Sequence, residues 1–261
     1  MANGRTPLGH GAMTTSRDRM TRLREILKPH KATVFALQRI YGLLVRPYAR
    51  PRMTIGVRPL SELWADDRGL SIHRYYLQNF LESIAPSVRG RCLEFLDNPY
   101  TLRYGRDKVT RSDILHIDDT NPDATIVADL TLPNAIPDNA FDCIICTHVL
   151  HVIFDVDKVV AEMHRILAPG GALIVAVPHI SMAGDDVDEF WRFTTTGLQQ
   201  LLARHFGSTN VETRGYGNSL TAAGEVRGLA SHHFSRRTLD YCDERFAVEV
   251  CARAIKPPAS A

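Results

Sequence analysis

The stretch from Ile136 to Pro178, IPDNAFDCIICTHVLHVIFDVDKVVAEMHRILAPGGALIVAVP, constrains the fold more than any other part of the chain. Phe141–Thr147 is an apolar run entered through the turn Pro137-Asp138-Asn139, the pattern of a buried strand. Asp157–Leu167 has apolar residues at helical spacing and stops at Ala-Pro-Gly-Gly, after which Ala172–Val177 is a second buried run. Two such strands joined through a helix form a βαβ unit. Its strands must be parallel, and a parallel sheet needs both faces covered.

The alternation extends in both directions. Arg91–Leu96, Lys108–Ser112 and Thr125–Ala128 read as three strands before the unit. The helix Thr194–His205, with N-caps on offer from Thr194 to Thr196, and the strands Asn210–Tyr216 and Phe246–Ala254 follow it. The predicted fold is therefore α/β, a doubly wound Rossmann-like sheet with helices on both faces. Ahead of it, Leu70 to Ile84 reads as a helix stopped by Pro86. Arg17–Leu27 is helical up to Pro29, and Ala32 to Val45 has one broad apolar face before Pro47, Pro51 and Pro59 break the pattern. This divides the chain into a basic tail (1–20), an N-terminal helical extension or lid (21–88), the α/β domain (89–257) and a short tail (258–261).

Residues 1–52 hold eleven lysines and arginines against only Asp18 and Glu25, whereas the remaining residues hold twenty basic and twenty-seven acidic groups. A basic arm on a mildly acidic domain fits contact with a membrane surface or an acidic partner, and fits equally a solvated helical extension. With charge alone and no recognition motif, nucleic acid is not an expected partner. No run approaches the roughly 20 apolar residues of a membrane span, and the polar N-terminus lacks a signal's apolar core, so a cytoplasmic location is expected. The five cysteines include Cys143-x-x-Cys146, but residues three apart on a strand face opposite sides, so no metal site is expected from this pair.

Ligands of open α/β sheets bind beyond the carboxyl ends of the strands. That rule selects Glu94 to Tyr100 after the first strand, Asp113 at the end of the second and Asp129 at the end of the third. It also selects Thr147, His148 and His151 after the fourth, and His179 after the fifth. The absence of G-x-G-x-x-G after the first strand disfavours a nicotinamide dehydrogenase.

The stretch from Pro137 to Pro178 resembles the class I S-adenosylmethionine-dependent methyltransferases of the type 11 kind. DEFWRFTTTGLQQLL looks like a segment of members associated with glycan and lipopolysaccharide gene clusters. The likeness covers roughly Gly90 to Pro257 and implies a seven-stranded sheet whose last strand is antiparallel. It implies S-adenosylmethionine as cofactor and a small-molecule or glycan acceptor methylated on oxygen or nitrogen. By the same resemblance Glu94 is the acid ending the first strand, Asp113 grips the ribose hydroxyls, and Asp129 with Leu130 forms the adenine edge.

The chain departs from that pattern at one point. Where the family has acid-x-Gly-x-Gly, this sequence reads Glu94-Phe95-Leu96-Asp97-Asn98, so Leu96 and Asp97 stand in the cofactor loop without a glycine. A leucine there is expected to obstruct the cofactor and to resist positive φ. His148 and His151 are the candidate general bases, because neutral imidazole takes a proton near neutral pH. Tyr75 and Tyr76, of which at most one can face inward, join His179, Trp191 and Arg192 as candidate acceptor contacts. Two readings stay open: a methyltransferase, or a methyltransferase fold that has lost the transfer and works as a cofactor-independent enzyme such as a cyclase, or as a scaffold. The apolar helix 32–45 is also a candidate homodimer contact.

Overall fold

The structure, a computed structural model, describes residues 51, 53–184 and 187–258, which belong to one unit. The basic tail, the helices expected at 17–27 and 32–45, and the dimer contact expected of the second helix lie outside the described residues.

Seven strands form one sheet: β1 Gly90–Phe95, β2 Val109–His116, β3 Ile126–Val127, β4 Phe141–Thr147, β5 Leu167–Pro178, β6 Val211–Tyr216 and β7 Glu249–Ile255. Their order is β3-β2-β1-β4-β5-β7-β6. The first five are parallel, and β7 runs antiparallel to both β5 and β6. The flanking helices are α1 Ile72–Ser83, α2 Val156–Ile166, α3 Thr195–Phe206, α4 Ser219–Val226 and the short α5 Arg236–Asp240. Among the described residues no helix is long and apolar enough to cross a membrane.

Burial on both faces explains the continuous apolar runs. Ile144 and Cys146 of β4 pack with Val159 and Met163 of α2 and Leu198 and Leu202 of α3. Cys143 and Ile145 turn the other way, onto Leu77, Phe80 and Leu81 of α1. The two cysteines therefore stand in separate cores on opposite faces, as the period of a strand requires. Each fully buried side chain of this size contributes roughly 1.5–3 kcal/mol. Gly170, at φ +76, supplies the left-handed residue inside β5, where the pairing with β4 shifts between Leu167 and Ala172.

β2 runs four residues past its expected end. Asp113 sits inside it, opposite Leu93 of β1, because Arg91 (2.7 Å), Arg111 (2.9 Å) and the Thr125 hydroxyl (3.0 Å) neutralise it there. Those partners hold its carboxyl below the usual range even though burial opposes them. A charged residue that would end most strands is thus carried through this one.

Candidate active site

A cavity of 920 Å³ opens at the carboxyl edge of the parallel strands. Its walls come from the loop after β1 (Phe95, Leu96), the end of β2 (His116, Ile117), the segment after β3 (Asp129, Leu130) and the turn after β4 (His148, His151). The start of α1 adds His73 and Arg74, and the segment before α3 adds Glu189 and Phe190.

Leu96 has φ +70, the left-handed conformation of a glycine. Its N–H donates to Leu115 O (3.1 Å), and the Asn121 amide donates to its carbonyl (2.6 Å). These bonds hold a conformation that costs a leucine about 1–2 kcal/mol. The expectation that leucine would resist this backbone is therefore corrected: the main chain follows a glycine's path, and the side chain, 60% exposed, stands in the cavity wall. Glu94 has another task. Its carboxylate accepts from the backbone N–H groups of Tyr100 (3.2 Å) and Thr101 (2.7 Å), closing the π-type turn Thr101–Gly105 that leads to β2. Burial pushes its pKa up to about 7 against those donors.

His148 also has positive φ, +54, fixed by its N–H on Ala176 O at 2.8 Å. Its Nε2 lies 2.8 Å from Oε1 of Glu249, a fully buried side chain at the start of β7. A carboxylate only accepts, so Nε2 donates this bond, and in the neutral ring Nδ1 is the nitrogen with the free lone pair. The ring of His73 meets His148 edge-on at 5.3 Å, and His73 Nδ1 pairs with buried Glu225 of α4 at 2.7 Å. Burial opposes the charged form of His73, but the bond and charge of Glu225 outweigh it and raise the pKa. His151 differs: burial, reinforced by nearby His148, lowers its pKa to about 4, so it stays neutral. Two buried atoms on the cavity wall, His151 Nδ1 and Glu249 Oε2, have no hydrogen-bond partner among the described residues.

Of the residues selected from sequence, the cavity brings together Leu96, Asp129, Leu130, His148 and His151. Glu94, Asp97, Asp113 and Thr147 stand outside its wall, and so do Tyr75, Tyr76, His179, Trp191 and Arg192. Each of the last five has other work. Tyr75 donates to Asp240 (2.6 Å), and buried Tyr76 donates to Thr221 (3.1 Å). His179 bonds Phe193 O (2.8 Å), and the Trp191 indole donates to Ile153 O (2.9 Å) while stacking on Phe154. Arg192 pairs with Glu189. The His151 carbonyl in turn accepts from the N–H groups of Phe190 and Trp191, which fixes this segment to the turn after β4.

Sequence reasoning missed His73, Glu225 and Glu249. Glu249 had a signal, a lone carboxylate in the apolar run AVEVCARA, which is costly unless paired. His73 had none, since only the packing of α1 brings it to the site.

Residues 88–175 match the family model described as a methyltransferase domain. A demethylmenaquinone methyltransferase from Listeria monocytogenes is 35% identical over 92 residues, 35% of each chain. A probable polyketide synthase 7 from Dictyostelium discoideum is 33% identical over 81 residues, 29% of this chain and 3% of that protein. The chain thus spans about a third of the first relative and a small fraction of the second. Among solved structures, the complex between the Haloferax volcanii Trm112 methyltransferase activator and the putative methyltransferase overlays 76% of this chain and 96% of that one, at 15% identity and a TM-score of 0.49. The matched stretch, residues 88–175, takes in β1 to β4 and most of β5, so the likeness to a methyltransferase domain lies on the part of the sheet whose strand ends frame the cavity.

Proposed function

We propose that the protein is an S-adenosylmethionine-dependent methyltransferase acting on oxygen or nitrogen of a small molecule, such as a glycan or a specialised metabolite. The observation that carries this reading is the glycine-like backbone of Leu96 on the same cavity as Asp129, Leu130 and His148. The residues fit the cofactor in this sense: the loop keeps the main-chain path a glycine would give, and the cavity falls within the ~300–1,000 Å³ range of small-molecule sites. Asp129 and Leu130 would hold the adenine, and the Leu96 loop the amino-acid end. When bound, the cofactor supplies an activated methyl group on a sulfonium, so the protein needs chiefly to orient the acceptor and take its proton. His148 would take that proton. His151, neutral and weakly basic, serves to anchor the segment before α3.

The Leu96 side chain in the cavity wall is the observation that favours the second reading, a methyltransferase fold without transfer. Titration calorimetry with S-adenosylmethionine and S-adenosylhomocysteine separates the two. Binding of both is expected; heat from neither at millimolar concentration would leave only the second reading. The basic residues 1–52 supply a separate contact with anionic membrane surfaces in this proposal. Deleting them should abolish liposome co-sedimentation at low salt, and unchanged sedimentation would remove that role.

A further inference from the structure

We infer that the two histidine–glutamate pairs, His148–Glu249 and His73–Glu225, make the acceptor end of the cavity a site for an acidic hydroxyl, a phenol or an enol, with Glu249 as the positioning residue of the base. The inference rests on the methyl-transfer reading and names the acceptor class for it.

Four elements converge on this constellation: α1 gives His73, α4 gives Glu225, the turn after β4 gives His148 and β7 gives Glu249. Glu249 is fully buried and its Oε1 fixes Nε2–H of His148, so Nδ1, which has no protein partner among the described residues, is the proton acceptor. His148 is partly exposed while the Glu249 side chain is fully buried, so the imidazole is the more accessible of the two groups. His73 has both ring nitrogens engaged, by Glu225 and the Ser71 hydroxyl, and its ring packs edge-on against that of His148. The bond to Glu225 raises its pKa against the effect of burial.

Magnitudes select the substrate class. A free imidazole has a pKa near 6.5 and a phenol one near 10, a gap of roughly 3.5 units. A hydroxyl as weakly acidic as water, at about 15.7, leaves roughly 9 units, too much for this base. The cavity wall also suits a planar ring: Phe154 and Phe190 line it, meet edge to face at 5.5 Å and are both substantially exposed. In the step itself the acceptor O–H bond breaks, its proton goes to Nδ1, and its electron pair remains on oxygen as the nucleophile. The imidazolium so formed is balanced by Glu249.

The groups facing His148 are Glu249 of β7, His73 and Arg74 of α1, Glu225 of α4, His151 of its own turn, and Glu189, itself paired with Arg192. The test uses 4-nitrophenol as probe with the full chain and saturating S-adenosylhomocysteine, followed through the visible band of the phenolate. At a pH one unit below the probe's solution pKa, wild type should raise that band on binding. Glu249→Gln, which keeps the shape but removes the charge, should raise the bound probe's apparent pKa by about one unit, a tenfold loss of anion at fixed pH. His148→Phe should abolish the rise in the band on binding, and Glu249→Asp should restore part of what Glu249→Gln loses. A band no stronger with wild type than for the free probe overturns the inference, as does a rise unmoved by Glu249→Gln. Calorimetry with S-adenosylhomocysteine on the same samples keeps the two levels apart. Homocysteine-adduct binding without a rise in the phenolate band sinks the acidic-hydroxyl site alone, and a rise without that binding sinks methyl transfer while the base site stands.

Discussion

Leu96 and His148 are two non-glycine residues held at positive φ on one cavity, and each conformation is fixed by a hydrogen bond to the neighbouring strand. Strain of about 1–2 kcal/mol in each persists only because the sheet edge over-determines it. At Leu96 the strain and the side chain separate cleanly. Leu96→Gly relieves the left-handed penalty but loosens the unfolded chain, two effects of similar size and opposite sign. Its stability by urea denaturation should therefore stay within about 1 kcal/mol of wild type, while affinity for S-adenosylhomocysteine rises as the isobutyl group leaves the wall. Weakened binding would mean that the leucine side chain is a contact and not an obstruction. The sequence showed that a glycine was missing here. It could not show that the backbone keeps the glycine's shape, because that depends on Leu115 and Asn121 across the sheet edge.

Among the elements, the antiparallel β7 matters most to the site. The parallel strands end at the cavity, so only a strand running the other way brings its first residue there, and that residue is Glu249, paired with Pro178 at the end of β5. The turn after β1 is the second device, and Glu94 closes it. Its pKa, near 7 in the fold against about 4.3 in the unfolded chain, means that the folded state binds the proton more tightly. The corresponding stability is present below about pH 4.3 and is lost as pH rises through about 7. Glu94→Gln cannot ionise and should flatten that loss. Thermal melts should show its stability relative to wild type increasing steadily from pH 4.5 to 8; a constant difference would mean that Glu94 is not buried against its charge. Strand and helix existence was legible from the apolar runs, as with Phe141–Thr147, which the structure reproduces at both ends. The end of β2 was not, because an internal aspartate reads as a boundary until Arg91 and Arg111 are seen beside it. The tyrosines of α1 misled for a related reason: their hydroxyls find partners in Asp240 and Thr221, far away in sequence.

For the whole molecule, the sheet order places every wall of the cavity on one edge, and the two cores on either face hold that edge in shape. The sequence makes this plan readable because parallel strands must be apolar throughout, and a plan of that kind locates a site without specifying its contents. What fills the site is decided by side chains that meet only after folding, such as His73 and Glu249. A crystal structure of the full chain with S-adenosylhomocysteine tests the account most directly. The account predicts adenine against Asp129 and Leu130, the amino-acid end over the Leu96 loop, and the sulfur facing the His148 side of the cavity. Ligand density elsewhere, or a cavity left unfilled at saturating ligand, would contradict it.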